Sequence, residues 1–245
     1  MGSDSVIDTL NSRVSVRKHT GEPLTDELLE KIIHASRRAP TSSNMQAFSY
    51  IVVRDLEKKR KLAELVGNQN HVETSEVFIA VCADIHRINM ACKMHDVKFE
   101  KNFETTLTAM VDAAIAGTAL SLAAESFGLG TVMVGGIRNH PLEIAEVLKL
   151  PEGVFAVFGM SIGWPSVRPP QKPRFGPGLN VFYEGYGTIS EEQLRDYDRK
   201  LAEHYRSQGR NTPDDAWSGV ISRKVSSKRR AELREQLEKM GFSLN

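Results

Sequence analysis

Apolar residues at Leu28, Leu29, Ile32 and Ile33 recur at the spacing of one helical face. They predict a helix over 25–38, capped by Thr25 and stopped before Pro40. Short β-rich runs at 49–53 and 77–83 break that rhythm, and the second is apolar throughout, as a strand buried on both faces is. A helix over 56–66, closed by Gly67, lies between them. The longest helix is predicted over 103–127. Its centre, Ala113-Ala114-Ile115-Ala116-Gly117-Thr118-Ala119, is crowded with small residues that admit another backbone, either within the chain or across a subunit boundary. Gly128-Leu129-Gly130 ends it. A strand over 131–134, the pair Gly135-Gly136, a Pro141-initiated helix to 148 and a core strand over 154–162 follow.

The pattern changes at Gly163. Pro165, Pro169, Pro170, Pro173, Pro177 and four further glycines reach to Gly187 with few apolar anchors, which predicts an extended arm. Two amphipathic helices, 191–207 and 227–240, come after it, the second ended by Gly241. Strands and helices around one core, with an arm and a helical tail, predict an α+β fold. A tail of this kind reaches out to embrace a partner.

A chain of 245 residues with 40% hydrophobic and 26% charged positions can bury a real core. Its net charge of +1 offers no field for nucleic acid. No apolar run is expected to approach a membrane span and residues 1–8 lack a secretory pattern, so the expected compartment is the cytoplasm. The two cysteines, Cys82 and Cys92, suggest no disulfide framework. Cys82, Asp84, His86, Cys92 and His95 are metal-ligating types, but Cys82 falls in an apolar strand pattern and the spacing matches no closed zinc motif, so no metal is expected. There is no Gly-x-Ser-x-Gly elbow. Gly128-Leu129-Gly130 follows a helix and precedes a strand, the reverse of dinucleotide-binding order.

The chemistry that remains lies in two strings, Arg13-Val14-Ser15-Val16-Arg17 and Pro40-Thr41-Ser42-Ser43-Asn44-Met45-Gln46. Guanidinium forks flanking a serine, with a loop of hydroxyls and amides, suit a phosphate and a polar heterocycle without a metal. Lys172-Pro173-Arg174 adds two cations around a rigid proline. Solvated surface arginines are the plain alternative on composition alone.

These strings resemble the nitroreductase family, in its branch of NADPH-dependent FMN oxidoreductases and oxygen-insensitive nitroreductases. The resemblance runs on through Gly67-Asn68-Gln69-Asn70-His71-Val72, Val81-Cys82-Ala83-Asp84, Val111-Asp112-Ala113-Ala114, the stretch from Gly128 to Asn139, and Gly163-Trp164-Pro165. It implies a central, mainly antiparallel sheet flanked by helices. Residues 1–163 would form the FMN-binding core, and 164–245 an extension of the same single domain that packs on the other subunit of a homodimer. By position, Arg13, Ser15, Lys172 and Arg174 would hold the FMN phosphate, and Arg17 would lie near the N1 and O2 edge of the ring and tune it. Thr41, Ser42, Ser43 and Gln46 would meet the ribityl chain or ring, some of them from the second subunit. Gln69 and His71 would meet the pyrimidine side, with Met133, Val134, Gly135 and Gly136 beside N5 and O4.

Relatives often carry histidine at the position of Arg13. NADPH-selective relatives place arginines after the 191–207 helix, where Gln208 and Pro213 align here and Arg206 and Arg210 lie close by, so NADPH or NADH is expected as donor. The resemblance implies hydride transfer by alternation to nitroaromatics, quinones or free flavin, with no catalytic side chain in the usual sense. A reductive dehalogenase, an ene-type reductase or a low-turnover FMN-binding protein on the same fold are the alternatives.

Overall fold

The computed structural model describes residues 5–245, which divide into two compact units, one of 5–169 with 232–245 and the other of 170–231. The first unit holds the sheet. Strands β1 (Phe48–Val53), β2 (Val77–Asp84), β3 (Gly130–Val134) and β4 (Val154–Gly163) lie in the order β1-β2-β4-β3, every neighbouring pair antiparallel. This is the expected α+β architecture. Strand β2 has a strand on each side and helices over both faces, so all eight of its residues are buried and it shows no polar alternation. Burial pushes the Cys82 thiol up to about 12, the reverse of what a thiolate ligand requires.

Helix α2 (Asp26–Ser36) begins where the Thr25 hydroxyl accepts the Leu28 amide. It packs with α6 (Phe103–Ser126) over one face of the sheet. The Asn102 side chain caps α6 by accepting the Thr105 amide at 2.9 Å. Three of its small central residues serve packing inside the chain: Ala113 and Ala116 are buried against the sheet, and a Cβ on Gly117 would fall 2.3 Å from the Phe158 ring, whereas Ala114 and Thr118 are exposed. The Tyr50 hydroxyl donates to the Ala116 carbonyl at 2.8 Å.

The opposite side of α6 carries Phe103, Leu107, Val111 and Ile115 at four-residue intervals, each 37–50% exposed. With one apolar face inside and a second outside, α6 is long and apolar enough, by length and composition, to cross a membrane. That corrects the expectation that no run approaches such a length. Much of the helix is core of this chain.

Helices α3 (Leu56–Leu65) and α7 (Pro141–Leu148) cover the other face of the sheet. Three short helices were not legible in the pattern: α1 (Val6–Ser12), α4 (Asn70–Thr74) and α5 (His86–Met94). Five residues are too few for periodicity in α4, and α5 fully buries none of its side chains. The helix expected over 227–240 is replaced by α9 (Ser218–Val225) and α10 (Leu233–Lys239), with Arg230 left-handed (φ 53°) between them. The polar stretch after α9 has almost nothing to bury, whereas Leu237, Met240 and Phe242 fill a cluster with Ile85 and Phe155.

In the second unit, α8 (Glu191–Arg206) opens on a capping box between Ser190 and Gln193. Tyr197, Leu201 and Ala202 pack with Ala216, Phe175 and Trp217. The buried Asp198 carboxylate accepts the amides of Trp217 and Ser218 at 2.7 and 2.8 Å.

Candidate functional site

Val14 and Val16 are buried while Arg13, Ser15 and Arg17 alternate with them, which puts the three polar residues on one side of an extended segment. The segment is tied to β3: Ser15 pairs with Thr131 in a parallel bridge, and the Val16 amide donates to the Thr131 carbonyl at 2.9 Å. Val16 lies so close to Gly130 that a Cβ there would sit 2.6 Å from it, an approach only glycine allows. Thr131 is itself anchored from α6. Its hydroxyl lies 2.7 Å from Ser121 Oγ and donates to Glu125 Oε1 at 3.1 Å, while Glu125 Oε2 accepts from Arg168 at 3.0 Å. Sequence reasoning assigned Ser121, Glu125 and Arg168 no role, yet the buried Ser121 and Glu125, with the exposed Arg168 on the outer carboxylate oxygen, underlie the strand to which Ser15 is tied.

Gln69 and His71 stand at the start of α4. The Gln69 amide nitrogen donates to the Val66 carbonyl at 2.9 Å, which leaves Oε1 as an acceptor 3.1 Å from His71 Nε2. A carbonyl cannot donate, so this arrangement puts the proton on Nε2 and lets Nδ1 accept from the Ser161 hydroxyl at 3.2 Å. Burial first, then the charges of Arg17 and His19, lower the His71 pKa to about 4. The ring is therefore neutral at physiological pH. Ser161, wholly buried on β4, was also missed: a serine in an apolar run gives no sign of its partner.

The turn Gly135–Arg138 meets the same place. A Cβ on Gly136 would lie 2.2 Å from the Val66 carbonyl oxygen and 2.7 Å from Gln69 Nε2. Val134 is buried and Met133 is 48% exposed beside it on β3. Ser15, Arg17, Gln69, His71 and the Val134–Gly136 backbone thus converge at the β3 edge, and Arg13 shares the side of the segment that carries Ser15 and Arg17.

The 41–47 loop lies elsewhere. It runs into Phe48, which pairs with Ala83, whereas Thr131 pairs with Ile162 and, through it, with Val77. Val77 and Ala83 are about 20 Å apart along β2, and β1 and β3 are about 14 Å apart across the sheet. Thr41, Ser42, Ser43 and Gln46 therefore occupy the opposite corner of the sheet from Ser15 and His71.

In the second unit, the Lys172 ammonium and the Arg210 guanidinium lie 5.5 and 5.3 Å from the centre of one ring, that of Tyr205. Residues assigned to different ligands thus share an aromatic support. Arg174 is exposed, near enough for its charge to bear on Tyr197. Arg206 is engaged by its own unit: Nε donates to the Thr212 carbonyl at 2.9 Å and Nη2 to Asp214 at 2.5 Å.

A row of cationic and hydroxyl side chains next to a glycine cradle that a methyl group would fill, with a neutral imidazole and an oriented amide beside them, fits a flavin mononucleotide. The fold and this corner together define an α+β flavoprotein. The chain belongs to the nitroreductase family. The model of that family matches residues 10–164, and the model of its C-terminal domain matches 172–245. The chain is similar to an FMN reductase [NAD(P)H] of Bacillus subtilis, 37% identical over 98% of this chain and 99% of that protein. It is also similar to an oxygen-insensitive NADPH nitroreductase of Salmonella typhimurium, 38% identical over 97% and 98%. The solved structure of B. megaterium NfrA2 superimposes with a TM-score of 0.95 at 37% identity, covering 99% of this chain and all of that one.

Proposed function

We propose that this chain is an FMN-dependent oxidoreductase that draws on NAD(P)H and reduces small acceptors such as nitroaromatics, quinones or free flavin. The observation that carries the reading is the convergence at the β3 edge of Ser15, Arg17, Gln69, His71 and the Gly136 turn. The names of the relatives, FMN reductase and NADPH nitroreductase, agree with it. Bound FMN supplies the hydride chemistry, and the protein supplies position and charge. Arg13 and Ser15 hold the phosphate, and Lys172 and Arg174 are the cations that the family resemblance assigns to the same group. Arg17 brings positive charge to the ring edge. Gln69 offers its oriented amide and His71 a neutral ring to the pyrimidine side, and the backbone of 133–136 lies along the remaining edge. Of the donor candidates, Arg210 presents its guanidinium while Arg206 is occupied.

The working form is a cytoplasmic homodimer. The exposed Phe103-Leu107-Val111-Ile115 stripe supports the dimer, as do the exposed Val181, Tyr183 and Tyr186 of the arm. So does the split site: the loop of Thr41, Ser42, Ser43 and Gln46 stands at the far corner of its own sheet and serves the FMN of the partner subunit. Within the 164–245 extension, the reach to the partner belongs to 170–231.

The test is a matched assay. Protein reconstituted with FMN should lose its yellow colour on adding NADPH and regain it with menadione or nitrofurazone. A colourless protein with no FMN affinity would refute the reading. Mixed dimers of a His71→Ala chain and a Ser42→Ala/Ser43→Ala chain should regain one intact FMN site of two. No recovery on mixing would refute the shared site.

A further inference from the structure

We infer that Asp112 is a positioning residue for the cofactor loop. The inference rests on the FMN reading above, and it assigns a role to a side chain buried beneath the loop. Asp112 stands on α6 among alanines, the only acid of that helix between Glu104 and Glu125, and it is 1% exposed. Its two oxygens are divided between the ends of one loop. Oδ1 accepts the Ser42 amide at 3.0 Å and Oδ2 the Ala47 amide at 3.1 Å.

Between those two anchor points the backbone does something side chains resist. Ser43, Asn44 and Gln46 all take left-handed conformations, at φ 48°, 56° and 51°. None is glycine, so the loop is held rather than relaxed. A second grip comes from Arg87, whose Nη2 donates to the carbonyls of Gln46 at 3.0 Å and Phe48 at 2.7 Å. Inside the loop, the Thr41 hydroxyl accepts the Gln46 amide at 3.3 Å.

The carboxylate is suited to this task in a way its neutral isostere is not. Two amide donors need two acceptors, and asparagine offers one acceptor and turns its own N–H toward the other amide. Asp112 therefore pins the strained turn and presents Ser42, Ser43 and Gln46 outward in a fixed arrangement before any cofactor arrives. The cost of ordering the loop is met on folding rather than on binding.

The experiment uses the full-length dimer, wild type and Asp112→Asn, with FMN titration of the apo-proteins, site-resolved amide exchange, and turnover at saturating FMN. Asp112→Asn should weaken FMN binding about tenfold, through the buried amide left without an acceptor. It should speed exchange at Ser42 and Ala47, leave β2 protected, and keep kcat within about twofold once FMN is saturating, because Asp112 meets no reacting atom. Unchanged FMN affinity in a variant whose wild type binds FMN would overturn the inference. So would equal loss of protection along β2, which would make Asp112 a support of the whole core. Should the variant not fold, wild-type exchange decides: Ser42 and Ala47 amides as labile as the open amides of the loop would overturn the clamp. A wild type without FMN affinity would instead remove the cofactor reading, and the exchange comparison would still judge the clamp itself.

Discussion

The Nδ1 atom of His71 lies 3.2 Å from the hydroxyl oxygen of Ser161, two residues ninety positions apart in sequence. That contact, with Gln69 on the other nitrogen, defines the tautomer, while burial and the charges of Arg17 and His19 keep the ring uncharged. Its consequence is a pH dependence. The folded pKa of His71 is about 4, below the unfolded value of 6.5, so the unfolded state binds more protons between them. Stability is therefore full above about pH 6.5 and falls as pH drops toward 4. His19, also lowered by burial, acts in the same direction, and Glu76, raised by burial, acts against it in the acid part of the window. Chemical denaturation of wild type and His71→Gln from pH 7 to 4 should show a shallower loss in the variant. NMR titration of the ring should show no protonation above about pH 5.

Gly136 permits the turn to pass the Gln69 loop. In Gly136→Ala the methyl group meets the Val66 carbonyl at 2.2 Å, a backbone atom that cannot swing away. The expected cost is about 1–3 kcal/mol of stability with a larger effect on FMN affinity, since Gln69 moves with Val66. Thermal unfolding and FMN titration of the same preparation would check it.

Arg17 and Arg174 divide the work in the proposed site. Arg17→Ala should slow flavin reduction about tenfold and weaken FMN retention less, and Arg174→Ala should do the reverse. Stopped-flow reduction and FMN titration on both variants decide it, and equal effects on both quantities would contradict the division.

Asp214 occupies Arg206, a candidate for the nucleotide donor, in an exposed ion pair. Asp214→Asn should free the guanidinium and lower KM for NADPH up to about fivefold, with little change for NADH, in keeping with the modest strength of surface pairs. Arg210→Ala should raise KM for NADPH more than Arg206→Ala does. Steady-state kinetics with both nucleotides would check this.

The outer stripe of α6 predicts an assembly. Val111→Asp, on a surface position 47% exposed in the single chain, should leave the monomer folded and shift the dimer toward dissociation. Sedimentation and circular dichroism together would show it.

How much of this was readable beforehand depends on how local each signal is. The period of Leu28, Leu29, Ile32 and Ile33, the unbroken apolar run of β2 and the Thr25 cap are properties of neighbouring residues, so the pattern along the chain determined these elements and, with the family resemblance, the fold and the phosphate-binding candidates. Folding alone decided the rest, because the decisive contacts join distant segments. Only three-dimensional packing brings Ser161 to His71, Glu125 to Thr131 and Asp112 to the 41–47 loop, since a buried polar group must find its partner wherever the chain delivers one. The same holds for the split between the two sheet corners. Strand order is a long-range outcome of packing, and it sets the 41–47 loop at the far corner of the sheet from Ser15 and His71.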